Sequence, residues 1–335
     1  MASDQVETSR RSRGRIAVID IARGLALLAM ASYHFTWDLE FFGYAPAGLT
    51  EFGGWKLYAR GIASSFLILV GVSLYLAHAR GIRWNGFWKR LAMVVAAALA
   101  ITIVTRIAVP DGFIFFGILH EIALASLLGL AFLRLPALLT LIIAALVIAA
   151  PHYLRSTAFD HPALWWIGLS TIPPRSNDFV PVLPWFGAVL AGLGITRLAD
   201  AAGILDRLAK VPAPRAAKPL TFIGKHSLAF YLIHQPVLIG CVWLFSQMVP
   251  APAENRQVNF LSSCQASCEQ KRDSAFCNRY CGCMLETLQS EGSLDKLYGG
   301  EPSAQFKTHI GEMASVCTLK TDSAEMGVDI GGKSK

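Results

Sequence analysis

Seven apolar stretches, residues 16–37, 58–79, 90–109, 113–133, 136–153, 181–198 and 220–248, recur along this chain. Each approaches the roughly 20 residues that a helix needs to cross a bilayer's hydrocarbon. Backbone N–H and C=O groups in that medium must be satisfied within the segment itself, which makes a helix of each stretch. The expected fold class is all-α, a polytopic membrane helix bundle of about seven spans. Composition agrees: 54% of the 335 residues are hydrophobic and 16% charged, too apolar a balance for an ordinary soluble domain.

The charges are unevenly placed. Residues 1–249 hold 21 Lys and Arg against 12 Asp and Glu, whereas residues 250–335 hold 9 against 11. The basic excess therefore belongs to the apolar part, where it reads as a topology signal and not as a nucleic-acid footprint. Arg10, Arg11, Arg13 and Arg15 precede the first stretch, Arg80, Arg83, Lys89 and Arg90 join the second to the third, and Arg197 to Lys218 join the sixth to the seventh. By the positive-inside rule the N-terminus is cytoplasmic, and seven crossings put the C-terminus outside. A cleaved signal peptide ending near Ala31 is the competing reading of the first stretch, but Asp20 and Arg23 interrupt the apolar core it requires.

Three parts are expected: a basic cytoplasmic N-terminus (1–15), a membrane domain (16–249) and a Cys-rich extracytoplasmic tail (250–335). In the tail, Cys264 and Cys268, and Cys277 and Cys281, each stand four residues apart, on one face of a helix. Two such helices folded as a hairpin would bridge Cys268 to Cys277 and Cys264 to Cys281, leaving Cys283 for Cys317. Six cysteines allow about 15 connectivities, so this pairing is only the most economical. Disulfides need an oxidising compartment, which the odd span count supplies. A metal site is the alternative use of these cysteines.

Polar groups inside the apolar stretches point to function, because hydrocarbon penalises them. At a rise of about 1.5 Å per residue, Arg23 lies about 10 Å and Lys225 about 8 Å from the cytoplasmic end. His34 lies about 27 Å in, Arg106 about 24 Å and His234 about 21 Å, while His120 and Glu121 sit about 20 Å from the outside. This makes an inner cationic layer and an outer layer of histidine, arginine and carboxylate. Asp38 follows His34 by four residues, the spacing at which a carboxylate orients an imidazole and keeps it basic. Arg23 suits an anionic ligand from the cytoplasm, and equally an ion pair with Asp20 three residues earlier. The glycines of "LPWFGAVLAGLG" (183–194) read as close helix packing. Layers of this kind serve group transfer across the membrane or transport equally well.

Four motifs carry a resemblance. "IDIARGLALLAMASYHF" (19–35), with Arg23 and His34 eleven residues apart, "FGILHEIALASLL" (116–128), "LPWFG" (183–187) and "LTFIGKHSLAFYLIHQPVL" (220–238) resemble, in this order, the transmembrane acyltransferase superfamily. The branch they look most like is bacterial proteins similar to the catalytic part of heparan-alpha-glucosaminide N-acetyltransferase. The resemblance implies that Arg23 helps to hold the acyl-CoA and that His34 is the catalytic histidine, with His120 and His234 at motif positions.

The expectation that follows is an inner-membrane acyltransferase that uses acetyl-CoA as co-substrate and a glycan or glycolipid acceptor at the outer face, among membrane lipids, with no metal and no nucleic-acid partner. Lys225, Arg83 and Arg90 would join Arg23 in attracting the CoA phosphates. His34, oriented by Asp38, would be general base or acyl carrier, Arg106 or His234 would stabilise the oxyanion, and His120 and Glu121 would support the site. A transporter or flippase, and a redox or sensor protein acting through its tail, are the rival classes; broken helices with internal repeats would mark the first and a Cys-x-x-Cys pair the second.

Overall fold

The computed structural model describes residues 16–46, 48–51, 53–172, 174–249, 256–269, 271–297 and 303–325. The arginines at positions 10–15 lie outside them. Among the described residues the chain is all helix and short 3-10 turns, with no strand. The α-helices are α1 (Ala17–Phe41), α2 (Gly53–His78), α3 (Trp84–Ala108), α4 (Ile118–Phe132), α5 (Ala137–Tyr153), α6 (Val182–Ala201), α7 (Ile204–Ala209), α8 (Lys218–Lys225), α9 (Ser227–Met248), α10 (Arg256–Cys268), α11 (Ser274–Ser290) and α12 (Ala304–Glu325).

Five of them, α1, α2, α3, α6 and α9, are long and apolar enough to cross a membrane. The other two apolar helices are shorter, 15 residues in α4 and 17 in α5, or about 22 and 26 Å of helix. The apolar stretch 113–133 begins as a turn because residues 112–117 are tied to a distant segment. The stretch 220–248 is two helices, broken at His226, whose N–H returns to Phe222 and Ile223.

The chain divides into two compact units, Met1–Ala31 with Ala59–Gln235, and Ser32–Tyr58 with Pro236–Lys335. In the first, α6 is the central helix. Its buried face, Phe186 to Leu190, meets Leu67 and Val70 of α2, Ile118 and Ala125 of α4, and Ala144 of α5. Small residues allow this closeness. A Cβ on Gly71 would stand 2.0 Å from the Val189 carbonyl oxygen, and one on Gly192 would stand 2.1 Å from that of Ile68, so α2 and α6 touch backbone to backbone. Gly187 and Gly194 bring α5 close as well, where a Cβ would meet the Ile148 side chain at 2.5 Å and the Leu141 side chain at 2.9 Å. Arg197 donates to the carbonyls of Leu133 (3.0 Å) and Leu135 (2.6 Å), satisfying acceptors that the end of α4 leaves over. By contrast α3 leaves most of its length exposed.

In the second unit, the end of α1 is closed by Glu40. Its carboxylate accepts from the Gly48 N–H, the Thr50 N–H (3.1 Å) and the Thr50 hydroxyl (2.9 Å). The Tyr44 hydroxyl donates to the Val249 carbonyl, and its ring meets Phe245 at 5.4 Å. Helices α10 and α11 form a hairpin cross-linked by Cys264–Cys281 and Cys268–Cys277, and Cys283–Cys317 ties α12 to it. Met284, Leu288, Met313 and Cys317 are the small core that these bonds surround.

Candidate functional site

At one end of the first unit, Asp20 is 2% exposed and ion-paired to Arg23 one turn along α1, at 3.1 Å. The Arg23 guanidinium also donates to the Ser73 hydroxyl of α2, whose own proton goes to the Leu69 carbonyl. The same turn of α1 is crossed by α8. Gly224 sits on the Asp20 backbone, where a Cβ would fall 1.9 Å from the carbonyl oxygen, and Gly24 on that of Leu220 (2.3 Å). Lys225 follows Gly224 directly, so Arg23 and the exposed Lys225 belong to one end of this unit. Arg83 caps the start of α3, with its N–H donated to His78 Nδ1 at 3.3 Å, and Arg90 lies on a groove beside His78.

The N-terminus of α4 is the other polar cluster of this unit. The Gly117 N–H donates to His120 Nδ1 (3.2 Å), so the ring proton is on Nε2. Nε2 lies 3.2 Å from the Thr102 hydroxyl, whose proton is given to the Ile114 carbonyl (2.7 Å). Both His120 nitrogens are thus used in holding the α3–α4 connection, which makes this histidine a positioning group. Asp178, from the segment before α6, accepts from the Ile118 N–H at 2.9 Å and serves α4 as a cap borrowed from 60 residues away. Asn177 and Val180 clamp the same connection through Gly112 and Phe116. Burial pushes the Asp178 carboxyl up to about 6 against the opposing effect of the Ile118 hydrogen bond.

Glu121, in the first turn of α4, is fully buried, and neither carboxylate oxygen has a hydrogen-bond partner among the described residues. Ile118 and Ala125, its neighbours at i−3 and i+4, face the main core, so Glu121 lies on that side of α4. His234 is 8% exposed, and its Nδ1 donates to the Tyr231 carbonyl at 2.7 Å. In the neutral ring this leaves Nε2 as the basic nitrogen. Tyr231 is close enough to Asp178 to sense its charge. Arg106 is exposed and lies 5.2 Å over the Phe113 ring. The long connection after α5 is organised by Asp160, whose carboxyl is held below its ordinary range by the Thr171 and Ser170 hydroxyls.

In the second unit, α1 continues unbroken through His34 and Asp38. His34 is half-buried, with Tyr33 edge-on at 5.7 Å, and Asp38, one turn beyond it, is fully buried. Ser32 and Tyr58 share a hydrogen bond of 2.8 Å, and Tyr33 donates to the Thr50 carbonyl at 3.3 Å.

Asp178 is the group that the sequence reading missed. Its carboxylate, set between Asn177 and the apolar run beginning at Phe179, was the one available signal.

These features define a multi-span helical membrane protein with several ionisable groups buried among its helices. A profile of the family described as "Heparan-alpha-glucosaminide N-acetyltransferase, catalytic" matches residues 15–236, and the chain belongs to that family. This makes it a membrane acetyltransferase by class. No curated protein and no solved structure matches the chain.

Proposed function

We propose that the protein takes an acetyl group from cytoplasmic acetyl-CoA and passes it to a hydroxyl or amine of a glycan or glycolipid at the outer face of the inner membrane. The observation that carries this reading is the unbroken α1 helix. It bears an acid–base pair, Asp20 with Arg23, near its start and His34 with Asp38 eleven and more residues on, all within the segment matched to the acetyltransferase family.

In the proposed reaction the Arg23 end, with Lys225 and Arg83, attracts the phosphates of CoA. The Arg23–Asp20 pair keeps the guanidinium oriented instead of abolishing its charge. His34 then acts at the thioester carbonyl in one of two ways. It takes the proton of the acceptor hydroxyl or amine as that group attacks, or it attacks the carbonyl itself and the acyl-imidazole is opened by the acceptor. In either case the C–S bond breaks, a C–O or C–N bond forms, and the acceptor's proton ends on the CoA thiolate. Asp38 stabilises the imidazolium. His234 and Glu121 are further ionisable groups of the matched segment. Arg106, exposed on α3, has no role in this scheme, and Arg90 is assigned below.

The test uses purified protein in nanodiscs with radiolabelled acetyl-CoA, comparing wild type with His34→Ala and Arg23→Ala. The expected result is turnover by wild type, its loss in His34→Ala, and a raised KM in Arg23→Ala. Label that stays on wild type and is lost from His34→Ala selects the acyl-imidazole route. No consumption of acetyl-CoA by wild type, with or without candidate acceptors, overturns the proposal.

A further inference from the structure

A shallow groove, open to its surroundings along its length, runs between α2, α3 and α4. Its walls are apolar over two turns: Val70 and Leu74 from α2, Leu91 and Val94 from α3, and Ala123 from α4. At one end stand His78 and Arg90, with Phe87 between them. His78 is 9% exposed and accepts the Arg83 N–H on Nδ1, which puts its proton on Nε2 and makes that nitrogen a donor. Arg90 adds a permanent cation. The site is therefore an open apolar groove with two donors, one of them charged, at its end.

Three observations say what kind of molecule fits. The first is charge: no Asp or Glu occurs between Glu51 and Asp111, while Arg80, Arg83, Lys89 and Arg90 crowd the α2–α3 connection. The second is depth. Trp84 and Trp88, stacked at 6.2 Å and each about half exposed, occupy the first turns of α3, and exposed tryptophans of this kind sit at lipid headgroup level. The third is access. The outer side of α3 presents Leu99, Ile103, Val104 and Ile107 to its surroundings, so this helix is on the lipid-facing side of its unit.

We infer that this groove binds an anionic phospholipid, with one acyl chain along α2, α3 and α4 and the phosphate held by Arg90 and His78. Acyl-CoA shares the pairing of phosphate with a chain, but the amides of its pantetheine arm would need partners where the trough offers one hydroxyl, Ser126. The inference does not depend on the acyl-transfer reading.

The experiment measures lipid retained by the full chain, moved from nanodiscs of equal dioleoyl-phosphatidylglycerol and dioleoyl-phosphatidylcholine into detergent and weighed by native mass spectrometry. Wild type is expected to keep phosphatidylglycerol at least tenfold over phosphatidylcholine. Arg90→Gln removes that preference. Lys89→Gln, a neighbouring charge that does not line the groove, keeps it. Ala123→Leu fills the trough and lowers retention with the charges intact; if it fails to fold, the comparison of Arg90→Gln with Lys89→Gln decides alone. Equal retention of both lipids overturns the inference. So does an equal loss in the Arg90 and Lys89 variants, which would mean a diffuse surface field, or displacement of phosphatidylglycerol by added coenzyme A.

Discussion

The same substitution made twice on one helix tests the backbone contact between α2 and α6. At Gly71 an added methyl would stand 2.0 Å from the Val189 oxygen and 2.8 Å from the Leu193 nitrogen. Ordinary contact begins at 3.4 Å, so α2 must retreat by 3.4 − 2.0, or 1.4 Å. The fully buried Leu67, Leu190 and Leu193 flank this crossing. A buried leucine makes roughly 40 to 60 contacts of about 0.1–0.2 kcal/mol each, and a gap of about 0.5–1 Å forfeits at least about a quarter of that attraction. The smallest such loss is about 1 kcal/mol per leucine, or about 3 kcal/mol for the three, against a helix-propensity gain of about 1 kcal/mol for replacing glycine with alanine. Gly71→Ala should therefore destabilise by about 2 kcal/mol or more. Gly61, ten residues earlier on α2, has nothing within 4 Å of its added methyl. Gly61→Ala should leave stability unchanged or raise it by up to about 1 kcal/mol. Thermal midpoints of both variants in one detergent check the pair. Equal midpoints, or a Gly71→Ala protein at least as stable as wild type, would refute the contact and with it the central place of α6.

Other expectations follow from the polar groups and the tail. The Asp178 carboxyl, raised to about 6 from 3.8, binds its proton more tightly folded than unfolded. The burial cost is thus fully present above pH 6, and stability rises as pH falls from about 6 to about 4, by roughly 3 kcal/mol at most. Asp178→Asn keeps the acceptor for the Ile118 N–H without the charge, so its stability relative to wild type should grow over that interval and level off above it, read from thermal midpoints against pH. His120→Ala should cost about 1–3 kcal/mol by leaving the Gly117 N–H unpaired, while kcat per folded molecule stays near wild type. In the tail, chain entropy predicts about 4 kcal/mol from the Cys283–Cys317 loop of 34 residues and about 3 kcal/mol from the Cys268–Cys277 loop of 9. Proteolysis of the double serine variants should accordingly release α12 more readily in the first than it cuts the hairpin in the second.

Much of the fold was legible because lipid makes helices of apolar runs irrespective of neighbours. The glycines of 183–194 were legible too, since a small residue on an apolar helix has few uses besides close approach. What stayed hidden was non-local. The run 113–133 reads as one apolar stretch around His120 and Glu121, yet its first residues are held out of the helix by Asn177 and Val180. Residues 220–248 read as one span, but Gly224 and the break at His226 let α8 lie across α1. Asp178 had only a weak local signature, a carboxylate before an apolar run, because its partner is the N-terminus of a helix 60 residues back. The tail was the reverse case: four cysteines at helical spacing already implied the hairpin, and only the choice among the connectivities needed the structure.

Depth along a helix axis put three histidines in one layer and treated them alike; hydrogen bonding separates them. His120 gives its proton to Thr102 and accepts at Nδ1, so protonation would break the Gly117 contact and detach the start of α4. Such a histidine is a poor proton acceptor in a reaction, whatever its depth. His234 gives Nδ1–H to a main-chain carbonyl and has its basic nitrogen on the other side of the ring. His34 has a buried carboxylate one turn further along an unbroken helix, the spacing at which the carboxylate would orient the ring in the proposed reaction. An Asp38→Asn variant separates these roles. If His34 is the base, the substitution lowers kcat by about 10²-fold or more, in line with loss of one general-base contribution. An unchanged kcat would remove the pair from the chemistry and leave His234 as the histidine to test next.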